Sequence, residues 1–172
     1  MSDLISFSIR DLVPHPDLIQ IGAEPDLRLH HVAQAQLHRK YKSFRSEASL
    51  SARLQVDGRD VEIHGRLDGW RRTSKGIVLY EIKAVRGNPG NLLGSPLLQN
   101  ARRQLRLYVD LSDTARDLPW GRGEVTSALL CLVSESKRIA VETIDLRDTD
   151  GLLGRRLRAV LKCASALTSG VG

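Results

Sequence analysis

The stretch GRLDGWRRTSKGIVLYEIKAV, residues 65–85, contains two acids and a lysine whose spacing could do chemistry. Glu81 and Lys83 close an apolar run, Ile77-Val78-Leu79-Tyr80, that reads as a strand. Residues i and i+2 of a strand point to one face, so this carboxylate and ammonium stand side by side. Asp68 lies at the end of the preceding strand, across a hairpin. If the two strands pair, two carboxylates and a lysine converge at one edge of a sheet. Carboxylates a few ångströms apart repel unless a cation lies between them. Oxygen donors of this kind suit Mg2+ or Mn2+, and the backbone carbonyl of Ile82 could supply a further oxygen.

The elements that must hold these groups follow from periodicity and turn chemistry. Residues 1–25 are broken by Pro14, Pro16 and Pro25 and are expected to be irregular. The spacing of Leu29, Val32, Ala33, Leu37 and Tyr41 predicts a helix from Asp26 to about Phe44, with Asp26 as its cap. Strands are expected over residues 47–56 and in RDVEIHGRLDGW, joined by a tight Asp57-Gly58 turn. IVLYEIKAV is the third strand of this meander. Residues 86–96, rich in Gly and Pro, form a loop, and Leu97 to about Ser112 is a helix. TSALLCLVS and IAVETIDL then read as neighbouring strands, and GLLGRRLRAVLKCASAL as an amphipathic helix before a loose tail, 168–172. This order predicts one α/β domain over residues 1–172, with a central mixed sheet of about five strands flanked by helices on both faces.

Composition narrows the partner. Lys plus Arg number 26 against 20 Asp plus Glu in 172 residues, and most of the basic residues are arginine. An excess of that sign favours an anionic partner, nucleic acid first. The two cysteines, Cys131 and Cys163, form no CxxC or Cys/His cluster, which argues against structural zinc. The first residues lack the apolar run of a signal peptide, and no run of eighteen apolar residues exists. A cytoplasmic protein with no membrane partner is expected.

Asp68, a variable hairpin and then Glu81-Ile82-Lys83 resembles the PD-(D/E)XK nuclease superfamily. GRLDGW, EIK and then QLRLY on the next helix, with Gln104 and Tyr108 four residues apart, resembles its RecB-like exonuclease branch. RLHHVAQ on the early helix resembles the motif that supplies a histidine ligand in nuclease domains associated with Rad3-like helicases, and its register favours His30 over His31. Nucleases of CRISPR adaptation belong to the same branch. The resemblance runs from about Arg28 to Tyr108 and implies a restriction-endonuclease-like core. Taken singly, each residue has an ordinary reading, as an ion pair, a turn residue or a helix histidine. Their order and spacing together carry the likeness.

The resemblance implies a role for each group. Asp68 and Glu81, with His30 and the Ile82 carbonyl, would hold the ion, and an imidazole ligand tilts the preference toward Mn2+. The ion would lower the pKa of a water and screen the phosphate, while Lys83 would orient that water and stabilise charge on phosphorus. Gln104 and Tyr108 share a helix face and would position Lys83 or a DNA phosphate. Arg102, Arg103 and Arg106 on the same helix are candidate contacts to the nucleic-acid backbone. His31, His38 and His64 are expected to be structural or superficial. The four-cysteine iron–sulfur members of the branch do not fit this chain, and no GxxxxGK[ST] motor motif is present. The expected activity is hydrolysis of single-stranded DNA or duplex ends in repair, recombination or phage defence, with a helicase on another chain as a possible partner. A nuclease fold that only binds nucleic acid or a helicase is the alternative.

Overall fold

A computed structural model of the chain describes residues 4–13, 27–147, 149 and 151–169. The elements in order are β1 (Ile5–Ser8), α1 (Leu27–Lys40), β2 (Phe44–Val56), β3 (Arg59–Thr73), β4 (Gly76–Val85), α2 (Gln99–Thr114), β5 (Val125–Ser134), β6 (Ile139–Ile144) and α3 (Leu152–Ser169). Short 3-10 turns follow β1, at Ile9–Leu12, and precede α2. The proposed Asp26 cap lies outside the described residues; of the expected loose tail, 168–172, Thr168 and Ser169 instead close α3, and the remainder lies outside the described residues.

The strands form one mixed sheet of six, in which β4 and β5 are parallel and β5 and β6 antiparallel. The sixth strand is β1, where sequence spacing predicts only irregular chain. Its four residues pair in parallel with Val61–His64 of β3, a partner more than fifty positions away. The Asp57-Gly58 hairpin forms as expected, both residues taking positive φ, and joins β2 to β3 along nearly their full lengths.

Helices cover both faces. Leu29, Ala33 and Leu37 of α1 recur every fourth residue and bury against Val78, Tyr80 and Ile82 of β4 and Cys131 and Val133 of β5. On the opposite face, Ile77 and Leu79 of β4 and Leu130 of β5 pack beneath Leu105 and Tyr108 of α2 and Leu153, Leu157 and Leu161 of α3. Each such fully buried aliphatic side chain contributes about 1.5–3 kcal/mol. The Asp110 carboxylate accepts the N–H of Leu153 at 2.6 Å, capping the first turn of α3 and tying it to α2.

One irregularity shapes the site. β2 occupies one edge of β3 from Arg59 to Arg71, so β1 and β4 must share the other. β1 pairs with residues 61–64 and β4 with residues 69–73, which leaves residues 65–68 of that edge without a strand among the described residues. Beside this gap Glu47 takes a φ of 53°, and the β2–β3 ribbon twists until its faces exchange. Ala48 and Leu67 thus face α2, whereas Phe44 faces α1.

A carboxylate cluster at the fork between two strands

Asp68 stands where β3 leaves β4. The ladder between them ends at Gly69 and Tyr80, and the next available N–H of β4, that of Ile82, donates to Asp68 Oδ2 at 2.7 Å. The carbonyl of a strand residue projects to the same edge as its N–H, so the Ile82 carbonyl also faces the fork. The Asp68 carbonyl accepts from Gln34 Nε2 of α1 at 3.1 Å. Tyr108 of α2 donates its hydroxyl to the Arg66 carbonyl at 2.8 Å. Side chains from both layers of helix thereby serve main-chain groups beside the gap in the sheet.

Glycines flank the acid for a steric reason. A Cβ at Gly65 would stand 2.7 Å from Tyr108 Cε1, and one at Gly69 would run into the ring of Phe44. The GRLDG stretch is thus the floor on which two aromatic side chains close from opposite faces.

The structure brings Glu81, Lys83 and Gln104 together as a chain of contacts. Lys83 Nζ lies 2.6 Å from Glu81 Oε1 and 3.4 Å from Gln104 Oε1. Glu81 is 2% exposed, and its second oxygen is buried with no hydrogen-bond partner among the described residues. His30 Nδ1 faces Asp68 Oδ1 at 3.9 Å, while the neighbouring His31 points outward to solvent. Burial pushes the Glu81 carboxyl above the ordinary range, opposed by Lys83 and reinforced by the charge of Asp68. Asp68 is raised in the same way by burial, opposed by the Ile82 N–H and by Lys83. His30 is lowered, first by burial and then by Lys83, so its ring is neutral at pH 7.

As they stand, no three His, Cys, Asp or Glu side chains among the described residues are gathered to hold an ion. Glu81 is engaged with Lys83 and Asp68 with Ile82. The donors nevertheless suit a hard divalent cation: two carboxyl groups raised by burial, a neutral imidazole and a main-chain oxygen facing the fork. Glu81 Oε2 is a buried acceptor that no donor among the described residues satisfies.

The arginines of α2 go elsewhere. Arg102 and Arg106 lie two residues on either side of Gln104, roughly half a turn away from it. Arg102 forms a forked pair with Glu142 of β6 at 2.6 and 3.0 Å and also bonds the Ser95 carbonyl. Arg106 donates to the Asp145 carbonyl, and Arg103 is exposed. Tyr108 is 2% exposed, turned inward onto the Arg66 carbonyl.

Two contributors lie outside the sequence-derived set. Gln34 stands one helical turn after His30 in the RLHHVAQ motif, where the spacing favours His30 but assigns Gln34 no role of its own. Arg10 follows β1, and its positive charge is felt by His30, Asp68, Glu81 and Tyr108. Nothing periodic in LISFSIRDL announces it.

No helix among the described residues is long and apolar enough to cross a membrane. No family model matches the chain, and no curated protein matches it. Among solved structures, the crystal structure of SSO0001 is similar at a TM-score of 0.65, covering 95% of this chain and 78% of that one. Identity is 20%, so what the two proteins have in common is a fold.

Proposed function

We propose that this protein is a metal-dependent deoxyribonuclease of the PD-(D/E)XK type, RecB-like, hydrolysing phosphodiester bonds in single-stranded DNA or at duplex ends. The observation that carries this reading is the buried, half-satisfied Glu81 beside Lys83, electrostatically coupled to an Asp68 whose position is fixed by the backbone of Ile82. A structural ion pair between Glu81 and Lys83 would gain nothing from a second carboxylate, Asp68, whose charge adds to the burial that raises Glu81.

Asp68, Glu81, His30 and the Ile82 carbonyl would hold Mg2+ or Mn2+. When bound, such an ion supplies Lewis-acid chemistry, lowering the pKa of a water and neutralising charge on a phosphate. The chain's own residues do the rest. Lys83 brings an ammonium to where phosphate charge develops, and Gln104 restricts its swing. Ile82 and Gln34 fix Asp68 from two directions, which holds the geometry without a cost at the moment of reaction. His30, neutral and backed by α1, offers a nitrogen rather than a competing positive charge.

The experiment is incubation of end-labelled single-stranded DNA with Mn2+, Mg2+ or EDTA. Cleavage that requires metal and disappears in Glu81→Gln and Lys83→Ala supports the enzyme. Binding without products under any metal would instead leave a nuclease fold used only to hold nucleic acid or a helicase.

A further inference from the structure

The gap between β1 and β4 opens beside a cavity of about 390 Å3 whose lining includes Arg10, Ser49, Ser51, His64 and Arg66. Register aligns these residues. Arg66 pairs across the hairpin with Ser49, and His64 with Ser51. Residues 64, 66 and 68 share one face of β3 up to the twist at Asp68, while Ile63 and Leu67 face the core. The exposed side chains therefore step toward the acid from His64 to Arg66 to Asp68, about 7 Å per step. That is comparable to the spacing of successive phosphates along an extended strand.

Arg10 overlooks the same opening from the 3-10 turn after β1. Arg10 and Arg66 are both exposed, and both exert a positive charge on Asp68. Neither guanidinium has a hydrogen-bond or ion-pair partner among the described residues. Asp117 is the acid on the cavity rim. Two unpaired guanidinium groups and two hydroxyls, next to a site suited to a phosphodiester, make a track for a polyanion.

We infer that this groove carries the DNA strand beyond the scissile bond, with Arg10 and Arg66 each taking a phosphate and Ser49 and Ser51 donating hydroxyl hydrogen bonds. The inference rests on the nuclease reading and names the path of its substrate. It also shifts strand binding from the arginines of α2 to residues just past the end of the β1–β3 pairing, where Ser8 lies opposite His64.

The test is anisotropy titration of a fluorescein-labelled single-stranded oligonucleotide in EDTA over a range of salt, with melting curves as a check of folding. Arg10→Ala and Arg66→Ala should each weaken binding and reduce the slope of log K against log salt by about 0.7. Arg10→Lys should restore the slope, and Lys75→Ala, in the exposed β3–β4 turn, should leave it unchanged. Wild-type slopes in both Arg→Ala variants would overturn the inference, as would an equal loss in Lys75→Ala. Metal-dependent cleavage by the wild type combined with unchanged slopes removes only the groove. Reduced slopes in a wild type that never cleaves keep the groove and remove the nuclease.

Discussion

The carboxylate of Asp68 accepts the backbone N–H of Ile82 at 2.7 Å, just beyond the last pair of their strands, Gly69 and Tyr80. The bond makes this aspartate a structural member of the sheet as well as a candidate ligand. The two duties separate by substitution. Asp68→Asn keeps an oxygen for Ile82, whereas Asp68→Ala leaves that N–H without its partner, a cost of about 1–3 kcal/mol. Urea denaturation without metal should therefore find the Asn variant the more stable by that margin, while both lose cleavage. Equal stabilities would mean that the bond contributes nothing.

Glu81 and Asp68 both have carboxyl groups raised by burial. A folded pKa above the unfolded one means that the folded state keeps protons the unfolded state has released. Their contribution to stability is thus present below the ordinary carboxylate range and lost as pH rises through the raised values. A divalent cation would replace those protons. Mn2+ should raise the melting temperature little near about pH 5 and progressively more toward about pH 8. A shift of the same size at both ends of this range, measured by scanning fluorimetry, would separate metal binding from these carboxylates.

Tyr108 and Gln104 sit on one helix face but serve different partners. Tyr108→Phe should cost about 1 kcal/mol of stability through loss of the bond to the Arg66 carbonyl. Gln104→Ala should leave stability nearly unchanged and lower kcat by roughly ten- to a hundredfold, because it releases Lys83. If Gln104→Ala instead raised KM at constant kcat, its role would be in substrate binding.

Gly69 packs against Phe44 with no room for a methyl group. Gly69→Ala should destabilise the fold by about 1–3 kcal/mol, visible as a lower denaturation midpoint. Pairing it with Phe44→Leu should recover part of the loss; strict additivity of the two changes would argue against the clash.

Arg102 is bound to Glu142, and the pair links α2 to the edge strand β6. Arg102→Ala should lower the melting temperature while changing the salt slope of DNA binding less than Arg10→Ala does. A ranking in the other order would return the strand to the α2 surface.

The order of helices and strands, the hairpin at Asp57 and the shared face of Glu81 and Lys83 were readable because each depends on local period or turn chemistry. β1 was not. Four residues give too few alternations, and the pairing with Val61–His64 exists only once the chain has folded back. The positive φ of Glu47 was equally hidden, since the residue is neither Gly nor Asn and sits in an alternating run. The fate of Arg102 depended on Glu142, forty positions away, which no spacing rule connects to it. His30 was separable from His31 only by motif likeness, whereas in the fold their different exposure distinguishes them.

β1 stops at Ser8 because Ser8 and Asp11 bond each other's main chain, at 2.7 and 3.3 Å, and turn the chain away. Had the strand run on for two more residues, it would have zipped along Gly65 and Arg66 and narrowed the doorway to the acids. A serine and an aspartate outside the carboxylate cluster therefore act as its doorstop, and under the proposed nuclease reading their loss would alter which DNA ends are slim enough to enter.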